Sequence, residues 1–168
     1  MKLVFPNRKY LQSYNNAFGE YKRNKVDKYE FYDSTKLDVI KLCANNRKGI
    51  GLKEGWVPQN TYWLIDDEEF VGEISIRHYL TDSLLRYGGH IGYGIRHSKW
   101  NLGYGTKMLA LALKKAKTMG LEKVLVTCDE DNIGSAKVIE KNGGVLENII
   151  ENIIDGTRIH TKRYWIEL

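Results

Sequence analysis

Between Thr61 and Ile95 three strand-like runs follow one another: "TYWLI" (Thr61–Ile65), "FVGEISIRHYL" (Phe70–Leu80) and "RYGGHIGYGI" (Arg86–Ile95). β-Branched and aromatic residues fill them, and the acidic turn "DDEE" separates the first two. The pattern then changes. "WNLGYGTKML" opens a helix over Gly103–Met119, which Gly120 terminates as a good residue just past a helix end. Met108, Leu109, Ala112, Ala116 and Met119 share one side of it, and Lys107, Lys114, Lys117 and Thr118 the other. "EKVLVTC" (Glu122–Cys128) is apolar enough for a strand covered on both faces. "DNIGSAKVIEKNGG" predicts a shorter helix, started by Asp131 or Asn132 and ended at Gly143. Strands near Val145–Glu151 and Arg158–Glu167 close the chain around the turn Asp155–Gly156.

Upstream, "KLVF" (Lys2–Phe5) reads as a short strand. A helix runs from Arg8 to about Asn24, with Leu11, Tyr14, Phe18 and Tyr21 at helical spacing. "STKLDVIKLCANN" predicts a second helix, with Ser34 or Thr35 as N-cap. The order is therefore strand, two helices, three strands, helix, strand, helix, two strands. That is an α/β chain with a mixed sheet, mostly antiparallel in its first half. Its 168 residues suit one domain, residues 1–168, and neither a repeat nor a Pro/Ser-rich linker divides it.

Several classes are excluded or disfavoured. No run approaches the roughly 20 apolar residues of a membrane span, and no export segment is visible, so the expectation is a cytoplasmic protein without membrane partners. Cys43 and Cys128 lie far apart with no metal-ligand spacing, which fits a reducing compartment and no metal. The net charge of +5 is scattered rather than gathered into a tract, so it suits a small polyanionic ligand better than nucleic acid.

A polyanion has a candidate seat. A helix N-terminus presents unpaired N–H groups and partial positive charge, and Gly103 and Gly105 place no side chain over them. The ATP-binding loop G-x-x-x-x-G-K-[ST] does not fit, because Lys107 follows Thr106 and position 100 is Trp. The dinucleotide fingerprint G-x-G-x-x-G fails at Met108. From the glycines alone, a plain helix-starting turn remains equally open.

"NLGYGTKMLALAL" and "DNIGSAKVIEKNGG", in this element order, resemble the GNAT superfamily of acyl-CoA-dependent N-acyltransferases. Gly103-Tyr104-Gly105 matches the end of its Q/R-x-x-G-x-G/A signature, and Asn132, Glu140, Lys141 and Gly143 match its second marker. The resemblance implies a mostly antiparallel sheet whose central strands splay, flanked by helices. It also implies acetyl-CoA as co-substrate. The pyrophosphate would lie on N–H groups from Leu102 to Thr106 with the Thr106 hydroxyl, and Lys107 or a nearby lysine would meet a phosphate. The pantetheine arm would run between the strand ending at Ile95 and Lys123–Cys128, reached by Asn132 and Ser135. The implied cofactor-binding set is thus Ile95, Asn101, Leu102, Gly103, Tyr104, Gly105, Thr106, Lys107, Asn132 and Ser135. Two positions depart from the family pattern: Trp100 replaces Arg/Gln, and Ile139 occupies a common Tyr position.

The implied reaction is attack of a neutral amine on the thioester, with a backbone N–H near Ile95 as oxyanion donor. Glu73, His90 and Tyr93 are the candidate bases; Tyr93 shares a face with Ile91 and Ile95 and reads as core. Glu73 interrupts an apolar run, where an unpaired carboxylate would be costly. His90 has a suitable intrinsic pKa, and Gly92 and Gly94 leave its strand face nearly bare. Ser135, Tyr104 and Tyr164 are candidate proton donors to the thiolate. The acceptor, a small-molecule or peptide amine, would be framed by residues 24–34, 49–59 and 149–158, with Tyr29, Phe31, Tyr32 and Trp56 as candidate lining. A non-catalytic acyl-CoA sensor is the competing reading. Exposed strand edges and "KRYWIEL" allow a homodimer without requiring one.

Overall fold

The computed structural model describes residues 1–26, 29, 31–154 and 156–168. Strand β1 (Lys2–Val4) leads through a 3-10 turn at Arg8–Tyr10 into α1 (Leu11–Arg23). Helix α2 (Val39–Lys48) follows. Its cap is Asp38, whose carboxylate accepts from the Lys41 N–H at 3.0 Å, rather than Ser34 or Thr35. Those two hydroxyls have nearer partners: Ser34 donates to Asn15 Oδ1, and Thr35 to the Asp33 carboxylate.

β2 (Gln59–Asp66) and β3 (Glu69–Arg77) form the expected hairpin, turning through Asp67 and Glu68, both at positive φ. The third predicted run is shorter than expected. Its first residue, Arg86, ends a short helix α3 (Asp82–Arg86), capped by Thr81, and β4 spans only Ile91–Ile95. The left-handed turns at Gly88 and Gly89, φ +91° and +58°, delay the strand. Helix α4 (Tyr104–Thr118), β5 (Lys123–Asp129), α5 (Ile133–Glu140), β6 (Val145–Ile154) and β7 (Thr157–Glu167) complete the chain. Asp155 of the expected last turn lies outside the described residues.

The strands form one seven-stranded sheet in the order β1-β2-β3-β4-β5-β7-β6. Every pairing is antiparallel except β4 with β5. Alternation along β3 divides two cores. Ile74 and Ile76 pack with Met108, Leu109, Ala112 and Ala116 of α4, as that helix's apolar stripe requires, and with Ile139 of α5. On the opposite face Tyr14, Ala17 and Tyr21 of α1, Val39 and Cys43 of α2, Trp63, Phe70 and Phe31 form an aromatic core. Among the described residues no helix is long and apolar enough to cross a membrane.

Candidate active site

The sheet opens at its centre. β4 pairs with β3 from Ile91 to Ile95, but with β5 only at Ile91–Val126. β5 then follows β7 through Asp129, leaving a wedge between the two parallel strands. The Arg96 N–H donates to Val71 O at 2.8 Å. Because antiparallel ladders alternate, Gly94 and Gly92 turn their polar groups toward β3, whereas Ile95 and Tyr93 turn theirs into the wedge. The wedge is a cavity of about 640 Å³.

The start of α4 closes one end of it. Asn101 and Gly103 have φ +60° and +79°, and the first intrahelical bond runs from Lys107 N–H to Gly103 O. The N–H groups of Tyr104, Gly105 and Thr106 precede that ladder, and no side chain caps them. A Cβ on Gly103 would meet nothing within 4 Å, so the space above the helix end is open. Gly105 has another purpose: its Cβ would come within 3.0 Å of Val138, so its absence lets α4 approach α5. Lys99, Lys137 and Lys141 line the cavity. Lys99 is already paired with Glu69 at 2.7 Å.

Helix α5 supplies the facing wall. Asn132 Oδ1 accepts the Ser135 N–H at 3.0 Å, so this asparagine builds the helix start. Ser135 Oγ lies 2.8 Å from the Tyr93 hydroxyl. Burial pushes the Tyr93 hydroxyl well above its ordinary value, so it keeps its proton at neutral pH.

A second cavity, about 450 Å³, opens on the α1/α2 face. Glu73, Ser75 and Arg77 point into it from alternate positions of β3. Tyr29 lines both cavities, so they adjoin at its ring. The Glu73 side chain is buried, with Tyr29 Oη donating to Oε1 at 2.9 Å and Trp63 Nε1 donating to Oε2 at 2.8 Å. Burial raises its pKa, against the lowering effect of those two bonds.

Comparison with known proteins agrees with this geometry. The acetyltransferase (GNAT) domain model matches residues 14–145. This chain belongs to the GNAT acetyltransferase family. Among solved structures, the microcin C7 self-immunity acetyltransferase MccE, determined with acetyl-CoA and AMP, is 16% identical at TM-score 0.74, over 99% of this chain and 91% of that one. A Salmonella typhimurium acetyltransferase that modifies the N-terminal serine of ribosomal protein L7/L12 gives 14% and 0.72, over 99% and 94%. The spermidine N-acetyltransferase SpeG of Vibrio cholerae gives 16% and 0.65, over 99% and 95%. No curated protein sequence matches the chain.

In this GNAT chain most of the predicted cofactor set gathers around the wedge: Ile95, Asn101, Gly103, Tyr104, Gly105, Thr106, Asn132 and Ser135 all line it. Leu102 and Lys107 are exposed and outside the lining, and the lysines that face the cavity are Lys99, Lys137 and Lys141. Trp100, in the signature's Arg/Gln position, braces the turn. Its indole N–H donates to Ile95 O at 2.6 Å, and Tyr21 Oη donates to the same oxygen at 2.6 Å. Tyr104 Oη donates to Asp66, Tyr164 Oη to Glu140, and Ile139 is in the core.

His90 is not brought to either cavity. Its Nδ1 accepts the Leu125 N–H at 2.9 Å, and burial with the nearby Arg77 charge lowers its pKa to about 4. The strand face expected to be bare is furnished from elsewhere: a Cβ on Gly94 would strike the Tyr29 ring at 2.4 Å, and one on Gly92 would lie 3.8 Å from the Arg77 guanidinium. Tyr29, Tyr32 and Trp56 line the second cavity as expected, but Phe31 is core. The described part of residues 149–158 lines neither cavity, and α3 with its flank (Ser83, Leu84, Tyr87) takes that place. Tyr93, core-like in the sequence, pairs with Ser135, and Arg77 joins the second cavity without having stood out in the sequence. The period-two row Glu73, Ser75, Arg77 was the available signal for the last.

Proposed function

We propose that this protein transfers the acetyl group of acetyl-CoA to a primary amine of a small molecule or peptide, by direct attack in a ternary complex. The observation that carries the reading is the wedge between β4 and β5 ending on the unpaired N–H groups of α4. Tyr104, Gly105 and Thr106 offer N–H donors and Lys137 and Lys141 offer charge to a pyrophosphate. Tyr93 offers its backbone groups and Ile95 its N–H to an extended amide-bearing arm, the Ile95 carbonyl being held by Tyr21 and Trp100.

Glu73, which holds the Tyr29 hydroxyl where the two cavities adjoin, takes the proton that the attacking amine sheds. As the N–C bond forms, the Ile95 N–H faces the developing oxyanion. As the C–S bond breaks, the Tyr93–Ser135 pair supplies a proton to the leaving thiolate. Thiols have pKa values near 8.5, so this last help is the smallest of the three.

The test is calorimetric titration with acetyl-CoA together with free-thiol release on an amine panel. Saturable binding and amine-dependent thiol release are expected, and Gly103→Glu, which sets a carboxylate over the helix end, should weaken binding at least tenfold. No binding by the wild type would sink the reading. Binding without turnover on any amine would make the chain an acyl-CoA sensor.

A further inference from the structure

The second cavity holds a positive charge that acetyl transfer itself does not use. Arg77 follows Glu73 and Ser75 on the same face of β3 and lines the same cavity. Its Nη1 is spent on the carbonyls of Gly88 and Gly89, at 2.8 and 2.9 Å. A guanidinium has five N–H donors, and among the described residues nothing accepts from the three on Nε and Nη2. No carboxylate among the described residues forms an ion pair with it. The other charged groups lining the cavity are Glu73, already holding two hydrogen bonds, and Glu54 on the exposed rim.

The half-buried guanidinium lines the cavity with these donors unspent on the described residues, so an anion entering the cavity can take them. The guanidinium lies beside Gly92, which pairs with Ser75, one side-chain step along β3 from Glu73. One such step is about 7 Å. We infer that the acceptor is an amine carrying an anionic group about 7 Å away, such as the carboxylate of a dipeptide or ω-amino acid, and that Arg77 selects it. This rests on the proposed acetyl transfer, with the amine at Glu73. Planar, forked recognition of a carboxylate is what arginine does better than lysine. A polyamine would place a second cation against Arg77, so it fits poorly.

The experiment compares glycylglycine, glycylglycine amide and spermidine as acceptors for acetyl-CoA, in wild type and Arg77→Gln. The wild type should prefer the acid over its amide by about 10–100-fold in kcat/KM, the usual value of a charge-assisted bond. The ratio should fall to within about threefold in Arg77→Gln, with the KM for acetyl-CoA unmoved. Equal use of acid and amide by the wild type, a preference for spermidine, or a ratio that survives in Arg77→Gln overturns the inference. If Arg77→Gln does not fold, Arg77→Lys retains a donor for the two glycine carbonyls but loses the fork; it must lower the ratio at least threefold, and an unchanged ratio overturns the inference. Failure of every amine to be acetylated would refute the transferase reading instead. Tryptophan fluorescence titration with N-acetylglycylglycine and its amide then decides the role of Arg77: tighter acid binding that Arg77→Gln removes supports it, and equal binding overturns it.

Discussion

Glu73→Gln tests the chemistry most directly, because the replacement is nearly isosteric and the site tells what it should preserve. The glutamine oxygen can accept from Trp63 Nε1–H, and its amide can donate to the Tyr29 hydroxyl oxygen, so both present contacts persist in altered polarity. Only the carboxylate proposed to accept the amine's proton is lost. A positioned general base contributes about 10²–10⁴-fold, or roughly 3–5 kcal/mol of barrier, so kcat should fall by that factor while the KM for acetyl-CoA stays near wild type.

The pH profile supplies a second readout. Burial holds the folded Glu73 carboxyl above its ordinary value of 4.5, so wild-type kcat/KM, corrected for the neutral fraction of the amine, should decline as pH falls through that raised value. Glu73→Gln should lack this decline. Stability moves the other way. The folded protein holds this proton more tightly than the unfolded chain, so Glu73's contribution falls as pH rises from 4.5 through the folded value. The variant should therefore melt no lower than wild type at pH 8, with any advantage shrinking toward pH 4.5. A kcat/KM within threefold of wild type, or an unchanged acid limb, would refute Glu73 as the base.

Ser135→Ala leaves the Ser135 N–H on Asn132 and removes only the hydroxyl bonded to Tyr93. Stopped-flow or steady-state thiol release should show kcat lowered about tenfold, below the 10²–10⁴-fold of a full general acid because thiolate is a tolerable leaving group and the Tyr93 hydroxyl remains, with acetyl-CoA affinity retained; full activity would remove the pair from the mechanism. His90 is expected to act on stability alone. Its folded pKa, about 4, lies below the ordinary 6.5, so its contribution is present above 6.5 and drains as pH falls toward 4. His90→Asn, which keeps an acceptor for Leu125 N–H, should make the melting temperature less pH-sensitive across that window while kcat at pH 8 stays within threefold; a large loss of kcat would return His90 to the chemistry.

Apart from the short helix α3, the element order, the α4 stripe and the glycine turn before that helix were legible in the chain, because each depends on local periodicity or on a backbone conformation that few residues adopt. The two family markers, at the starts of α4 and α5 on either side of β5, also locate the wedge. The contents of the site were harder to read. Asp38 outcompeted Ser34 and Thr35 as a cap because the latter pair found Asn15 and Asp33 instead, one a neighbour 19 residues away and the other part of a local turn. Glu73 was ambiguous until Tyr29 and Trp63 supplied its donors, 44 and 10 residues distant in sequence. His90 and Glu73 both looked like bases, and only packing separated them: one ring is turned into the β4–β5 junction, and one carboxylate into the cavity beside Tyr29. Local sequence determines strands, helices and turns. Which side chains converge on one cavity depends on sheet register and on loops brought in from elsewhere, and those are properties of the folded whole.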